Sequence, residues 1–268
     1  MDNASDQNNQ NDQNDQSPVY VVLGATSGIG SELCKRLAAQ DGARLVLGGR
    51  DRDKLDGLTG ELDAETRTVE LDATDTGAVD GLFETAFSEF GGVTGAVNCV
   101  GAFLLKPAHM TSDEEFEEQL TLNLKTAFYV VKAAANRMRE GGSVVLLSSV
   151  AGRVGLENHE AVAASKAGVT GLAMSAAATY VARGLRFNVV SPGLIQTPMT
   201  ESVTRSETSR EASRQLHPLN RLGEPGDIAA MISWLLDPAQ DWVTGQDFGV
   251  DGGLSTLRPL PRRSSKSG

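Results

Sequence analysis

Three glycines, Gly24, Gly28 and Gly30, follow the apolar run Val19–Leu23. They precede the segment Ser31–Ala39, whose Leu33, Leu37 and Ala38 share one helical face. A strand, a glycine turn and a helix in that order form an anion site. Glycine lets the backbone approach a pyrophosphate closely, and the helix N-terminus supplies free N–H donors and partial positive charge. The spacing is Gly-x-x-x-Gly-x-Gly, with Ala25, Thr26, Ser27 and Ile29 between the glycines. A glycine-rich turn without a ligand is the competing reading that the triplet alone leaves open.

The elements that must position this turn alternate along the chain. Val19–Leu23 suits a buried parallel strand. Arg44–Gly48 is a second short strand, Asp51–Leu62 a polar helix and Thr66–Leu71 a third strand ending at Asp72. Thr76–Phe90 repeats apolar residues at helical spacing, and Val93–Val97 is a fourth strand. Ser112–Met138 reads as one long helix, acidic early (Asp113, Glu114, Glu115) and basic late (Lys132, Arg137), as the helix dipole favours. Ser143–Leu147, Leu185–Val190 and Gln246–Val250 read as further strands, and Glu160–Ala182 and Pro225–Leu236 as helices. Repeated β-α units with short connections predict an α/β fold, a doubly wound parallel sheet of about seven strands in a single domain over 18–257.

Composition narrows the function. A chain of 268 residues holds one large α/β domain, and 40% hydrophobic residues support a core. The net charge of −11 argues against a nucleic-acid surface, which needs a basic face. No apolar run reaches the ~18–20 residues of a membrane span, and the polar, acidic N-terminus lacks a signal peptide, so a cytoplasmic location is expected. Cys34 and Cys99 fall in a helix and at a strand end, which points away from a disulfide framework and to a reducing compartment. Residues 1–17, rich in Asn, Gln and Asp, and the basic stretch 258–268 are expected to be unstructured tails.

Beyond the glycine turn, a set of ordered motifs over about 19–257 resembles the short-chain dehydrogenase/reductase family. Gly24-Ala-Thr-Ser-Gly28-Ile-Gly30 is similar to its cofactor turn, and Leu71-Asp72-Ala73-Thr74-Asp75 to its third-strand end, where Asp72 would meet the adenine. Asn98-Cys99-Val100-Gly101 resembles a variant of its Asn-Asn-Ala-Gly motif, and Asn123 falls where the family has a helix-kinking Asn. Ser148–Gly152 is similar to the catalytic-serine segment, Ser191–Pro198 to the stretch holding the nicotinamide carboxamide, and Val250–Gly253 to the C-terminal signature. The resemblance implies a Rossmann-like domain that binds a nicotinamide dinucleotide, acts on a small-molecule substrate and assembles as a homodimer or homotetramer. It implies cofactor contacts from Gly24, Thr26, Ser27, Gly28, Ile29, Gly30, Asp72, Ala73, Asn98, Gly101, Lys166, Pro192, Gly193, Ile195 and Thr197, and no metal site. Read without the family, Asn98 and Asn123 are equally satisfied core amides, and Asp72 and Pro192-Gly193 equally turn residues.

The end of strand two chooses between the dinucleotides. NAD sites place an acid there for the ribose 2′-OH, whereas NADP sites leave it neutral with an Arg nearby for the 2′-phosphate. Here Gly49 takes the acid's place and Arg50 follows. A guanidinium grips phosphate in bidentate fashion, so NADP is expected, with NAD as the alternative. Surface charges beside Asp51 and Asp53 are the plainer account of Arg50 and Arg52.

The family's chemistry needs a Tyr four residues before a Lys, and here lies the departure. Lys166 is in place and Ser149 lies 13 residues before the expected Tyr, but position 162 is Val162, which has no proton to give. The expected set is therefore Asn123, Ser149 and Lys166. Tyr20, Tyr129 and Tyr180 offer no replacement; Tyr180 lies roughly 21 Å along a helix from Lys166 at ~1.5 Å per residue. His159 is the better candidate: seven residues before Lys166, it falls about 20° off the same helical face, and His titrates near neutrality. A helix-start histidine that caps or faces water is the competing reading. His109 and His217 lie in loops, where solvation is the default. Thr200–Pro218, with Arg205, Arg210 and Arg214 among Glu201, Glu207 and Glu211, falls where the family has its substrate lid, and reads either as an anion-attracting surface or as a solvated amphipathic helix. An NADP-dependent oxidoreductase with rerouted proton transfer, a silent dinucleotide-binding protein and a redox-neutral lyase or epimerase all remain open.

Overall fold

The computed structural model describes residues 17–258, and both tails apart from residues 17 and 258 lie outside the described range. Seven strands, β1 (Val19–Leu23), β2 (Arg44–Gly49), β3 (Glu65–Glu70), β4 (Gly95–Asn98), β5 (Gly142–Leu147), β6 (Leu185–Pro192) and β7 (Asp247–Val250), form one sheet in the order β3-β2-β1-β4-β5-β6-β7. Every neighbouring pair is parallel. Helices α1 (Gly28–Ala38), α2 (Arg52–Thr59) and α9 (Pro225–Leu236) cover one face, and α3 (Thr76–Phe90), α5 (Thr126–Arg137) and α6 (Glu160–Tyr180) cover the other. Between α3 and α5 runs α4 (Asp113–Gln119); α7 (Glu201–Thr204) and α8 (Glu207–Leu216) follow β6.

The strands are apolar on both sides because both sides are covered. In β1, Val19, Val21 and Leu23 enter the core under α3 and α5, while Tyr20 and Val22 enter the core under α1 and α9. β5 divides in the same way, Val144 and Leu146 against Val145 and Leu147. The chain order reverses direction at β1, which lies between β2 and β4. In an open α/β sheet the crevice at such a switch point, outside the strands' C-terminal ends, is where ligands bind.

The segment read as one helix over Ser112–Met138 is three pieces. α4 ends at Gln119, a wide π turn occupies Leu120–Lys125, and α5 starts at Thr126. The cause lies at Asn123, whose amide is buried and bonds away from its own helix to Ala102 and Ser165, as well as to Gln119. The remaining boundaries move by a few residues. α2 is shorter than Asp51–Leu62 because Asp51 is its N-cap, its carboxylate accepting from the Lys54 N–H at 3.1 Å.

Candidate functional site

The glycine turn is built by close packing. Gly24 has φ +78°, and its N–H and that of Ala25 both donate to the Gly48 carbonyl at 2.9 and 3.0 Å, tying the turn to β2. A Cβ on Gly24 would lie 2.9 Å from the Cys99–Val100 peptide, and one on Gly30 would collide with the Gly24 carbonyl. Ser27 caps α1 by accepting from the Gly30 N–H at 3.0 Å. The helix start is thereby pressed into the crevice between β1 and β4. Gly28 faces the other wall, where a Cβ would meet the Thr197 methyl at 2.9 Å.

A cavity of about 290 Å³ runs from this turn across the ends of β1, β2 and β3. Gly24, Thr26, Ser27, Arg50, Asp72, Ala73 and Gly101 line it. Asp72 accepts from the N–H and hydroxyl of Thr74 at 2.9 and 2.8 Å, which hold its carboxyl below the usual range, and the Arg50 guanidinium adds to the effect. Asp51 is occupied by its cap and by the Lys54 ammonium at 3.0 Å, so it does not stand in for an acid at the end of β2. At Gly49 a Cβ would make only ordinary contacts of 3.4–3.5 Å with Leu55 and Thr26. A side chain has room there, so packing does not explain the missing acid.

A second cavity, of about 340 Å³, shares Cys99, Val100, Gly101 and Met199 with the first. Ser149, His159, Val162 and Lys166 line it together, along with Ile29, Pro192, Gly193, Ile195 and Thr197. Ser149 follows β5 in extended conformation, and its Oγ accepts from the Ala151 N–H at 3.2 Å, leaving its own proton uncommitted. Lys166 is buried on α6, its Nζ donating to the Leu147 carbonyl at 2.9 Å, and burial pulls its ammonium down to about 8. Burial likewise pushes the neighbouring Cys99 thiol up to about 12, which removes it as a nucleophile.

His159 precedes α6 but makes no cap bond. Its Nδ1 lies 2.7 Å from the Glu157 carbonyl, so Nδ1 carries a proton and Nε2 is the nitrogen left for chemistry. Phe103 meets the ring edge-on at 5.8 Å between centroids. Asn158, with φ +63°, turns the chain just before it, and its carbonyl is held by the Lys106 N–H at 2.8 Å. Val162 sits where α6 faces the cavity, 2% exposed, and no tyrosine lines that wall. The Tyr20 hydroxyl is bound to Gln40, Tyr129 packs against the core, and Tyr180 stacks near Phe187.

Two expected site residues turn inward. Asn98 is buried, its amide donating to Thr126 Oγ1 at 3.0 Å and its carbonyl accepting from the Val100 N–H at 3.0 Å. Asn123 accepts from the Ala102 N–H at 2.9 Å and so fixes Gly101, which sits against its Oδ1 and the Lys166 ammonium. Neither side chain lines a cavity; each braces the loop that does. His217, left as a solvated loop histidine by sequence, is 4% exposed and joins the cavity wall. Its Nδ1 bonds the Ser213 carbonyl at 2.7 Å and its Nε2 accepts from the Leu194 N–H at 3.2 Å. Of the lid arginines, Arg214 pairs with Glu211 and Arg210 with Glu207, which favours the amphipathic-helix reading of α8. Periodicity could not have found the apolar walls Leu105, Leu156, Val203, Leu216 and Leu254, because they come from separate loops and short helices.

Fold and crevice together define a Rossmann-type dinucleotide-binding oxidoreductase. A family model described as enoyl-(acyl carrier protein) reductase matches residues 24–255. The 3-oxoacyl-(acyl-carrier-protein) reductase FabG of Thermotoga maritima is 34% identical over 241 residues, 88% of this chain and 97% of that protein. The cis-4-hydroxycyclohexanecarboxylate dehydrogenase of Sinomonas cyclohexanicum is 35% identical over 244 residues, 89% of this chain and 97% of that one. A solved short-chain type dehydrogenase/reductase from Mycobacterium ulcerans superimposes with a TM-score of 0.85 at 32% identity, covering 91% of each chain. A variant of actinorhodin polyketide ketoreductase solved with NADPH gives 0.81 at 28% identity, covering 90% of this chain and 98% of that one. The chain belongs to the short-chain dehydrogenase/reductase family, whose proteins bind NAD(P).

Proposed function

We propose that the protein is an NADP-dependent oxidoreductase that reduces a carbonyl, or an activated C=C bond, with His159 in place of the family's tyrosine. The observation that carries this reading is the convergence of Ser149, His159 and Lys166 on one cavity joined to the glycine crevice. The crevice fits a dinucleotide: Gly24 and Gly30 bring the start of α1 close, Asp72 suits an adenine, and Arg50 suits a 2′-phosphate. Thr197, packed on Gly28, and the backbone of Pro192–Ile195 suit the carboxamide.

The nicotinamide, when bound, supplies the hydride. Ser149 would hydrogen-bond the substrate oxygen through its free hydroxyl, keeping its own proton and orienting the carbonyl. The buried Lys166 ammonium, fixed by Leu147, favours negative charge on that oxygen. His159, its Nδ1 proton held by Glu157, delivers from Nε2 the one proton that the reduction consumes, passing from imidazolium to neutral imidazole. Val162 contributes only a wall. A second reading, a dinucleotide-binding protein without turnover or a redox-neutral lyase or epimerase, rests on Val162 alone.

The experiment is NADPH and NADH consumption against diketones, quinones, aldehydes and enones. With NADPH, His159→Ala is expected to cost about 10²–10⁴-fold in kcat, the usual scale of general acid catalysis. Val162→Tyr is expected to raise carbonyl reduction. Arg50→Ala should weaken NADPH strongly and NADH little, and Gly49→Asp should reverse the preference. Activity indifferent to Ser149→Ala, Lys166→Ala and His159→Ala combined sinks the site; equal effects of Arg50→Ala on both dinucleotides sink the NADP assignment. A cytoplasmic homodimer or homotetramer acting on small molecules completes the proposal. It is supported by two buried free cysteines and by exposed Phe128, Met174 and Trp242.

A further inference from the structure

The substrate's chemistry is written in the walls of the second cavity. Among the described residues, no Asp, Glu, Lys or Arg apart from Lys166 lines it, although charged residues make up 22% of the chain. The ammonium of Lys166 gives one of its three protons to Leu147 and lies on the side of the reacting oxygen. The polar groups Ser149, His159 and Lys166 cluster on the α6 side. Away from them, the walls are mainly Leu105, Leu156, Met199, Val203, Leu216 and Leu254; Ser213 adds a hydroxyl there, and Thr200 and His217 lie among them with their polar atoms bonded to backbone. Three of the apolar residues are unusually bare for large side chains: Leu105 is 48%, Met199 47% and Leu216 59% exposed. They come from different segments, yet they surround the same opening. Exposed apolar side chains that converge on one concave site mark a place where an apolar partner is taken out of water. The neighbouring lid arginines do not reverse this, because Arg210 and Arg214 are paired with glutamates of their own helix.

We infer that the substrate is an uncharged, compact apolar ketone or enone, one or two rings in size, with a single oxygen directed at Ser149 and His159. This rests on the oxidoreductase reading above and adds the class of molecule that the site accepts. A carboxylate, phosphate or polyol would lose water on entry and find no charged partner and little hydrogen bonding on the apolar side. The cavity of about 340 Å³ would also take the carboxamide end of the dinucleotide at Pro192–Ile195 and Thr197, and the share left over suits a small ring system.

The test is binding, measured apart from turnover. The NADPH-loaded full chain is titrated with cyclohexanone, 4-methylcyclohexanone, 2-decalone, 4-oxocyclohexanecarboxylate and erythrulose, followed by NADPH fluorescence and by equilibrium dialysis. Affinity should rise about fourfold per buried CH₂ through the neutral series. The carboxylate, which carries two more oxygens than 4-methylcyclohexanone on the same ring and is smaller than 2-decalone, should bind at least about tenfold more weakly than either, and the polyol more weakly still. Leu216→Asp should cost 2-decalone about tenfold or more with NADPH affinity unchanged, since Leu216 lies away from the dinucleotide crevice. A carboxylate or polyol that binds as tightly as the neutral rings overturns the inference, and so does a Leu216→Asp variant with unaltered 2-decalone affinity. The two readings fail separately. Neutral rings that bind in the expected order without consuming NADPH refute the oxidoreductase reading and leave this one standing. Reduction with the order reversed does the opposite.

Discussion

Lys166 shows most directly what burial does to a charge. With valine at position 162, no phenol stands beside the ammonium; its hydrogen bond goes to the Leu147 carbonyl. An ammonium buried that way is held at about 8, below its ordinary 10.5. The folded state therefore releases this proton earlier than the unfolded chain. Between about pH 8 and 10.5 the unfolded state holds more protons, so stability rises with pH across that window, and below it the cost of the buried charge is present in full. Lys166→Met, of similar length and uncharged, should stabilise the cofactor-free protein at pH 7 by an order of 2–3 kcal/mol. The gain should vanish above about pH 10.5. Denaturant unfolding of both proteins at pH 7, 9 and 10.5 measures it; a gain constant with pH means that packing, not charge, sets the difference.

At the scale of elements, the site depends on how the lid is tied to the sheet. His217 ends α8, yet it bonds back to Ser213 and across to the Leu194 N–H just after β6. Gly193 is small because His217 is there: a Cβ at that position would lie 2.7 Å from Nε2. One imidazole thus couples the lid helix to the Pro192–Thr197 segment. His217→Ala leaves the Leu194 N–H without its acceptor and opens a gap beside the cavity. We expect a loss of about 1–3 kcal/mol. Limited proteolysis should cut within 200–216 at least several-fold faster, and NADPH affinity should fall even though His217 lines no part of the dinucleotide crevice. Unchanged cleavage and affinity would show that the lid is held by other contacts.

The same region shows what a sequence can and cannot announce. The glycine crevice was legible because strand, turn and helix are contiguous and each glycine has a local reason. The sheet was legible because β1 and the apolar part of β5 carry buried apolar residues on both faces, the pattern of a doubly covered sheet. Val162 was placed from the spacing of Ser149 and Lys166, and it lines the same cavity as both. Asn98 and Asn123 stayed open between core amide and site residue, because the partners that decide it lie 20 or more residues away in sequence, at Thr126, Ala102 and Ser165. His217 and the apolar walls were hidden for the same reason: their roles arise from contacts between loops, which carry no period.

For the whole molecule, the two edges of the sheet differ. β3 ends one side with Glu65, Arg67 and Glu70, charges that discourage further pairing, and Arg67 is bonded to Glu65 and Glu89. β7 ends the other side with Asp247, Phe248, Gly249 and Val250. Beside it Trp234 meets Phe248 edge-on at 6.2 Å and is 41% exposed, while Trp242 is 97% exposed. Apolar side chains left so bare beside an edge strand are what a second copy of the chain would cover. We expect assembly through the β7–α9 side, with Phe128 and Met174 on α5 and α6 serving a second contact. The chain has two tryptophans and both lie on the first of these surfaces, which supplies the readout. Dilution through the dissociation range should shift tryptophan emission to the red in step with the loss of mass by sedimentation. Trp242→Glu should leave smaller particles joined through Phe128 and Met174, and Trp242→Glu with Phe128→Glu should leave monomers. Sedimentation of the wild type as a monomer at micromolar concentration, or emission that stays constant while mass falls, would place the contact elsewhere.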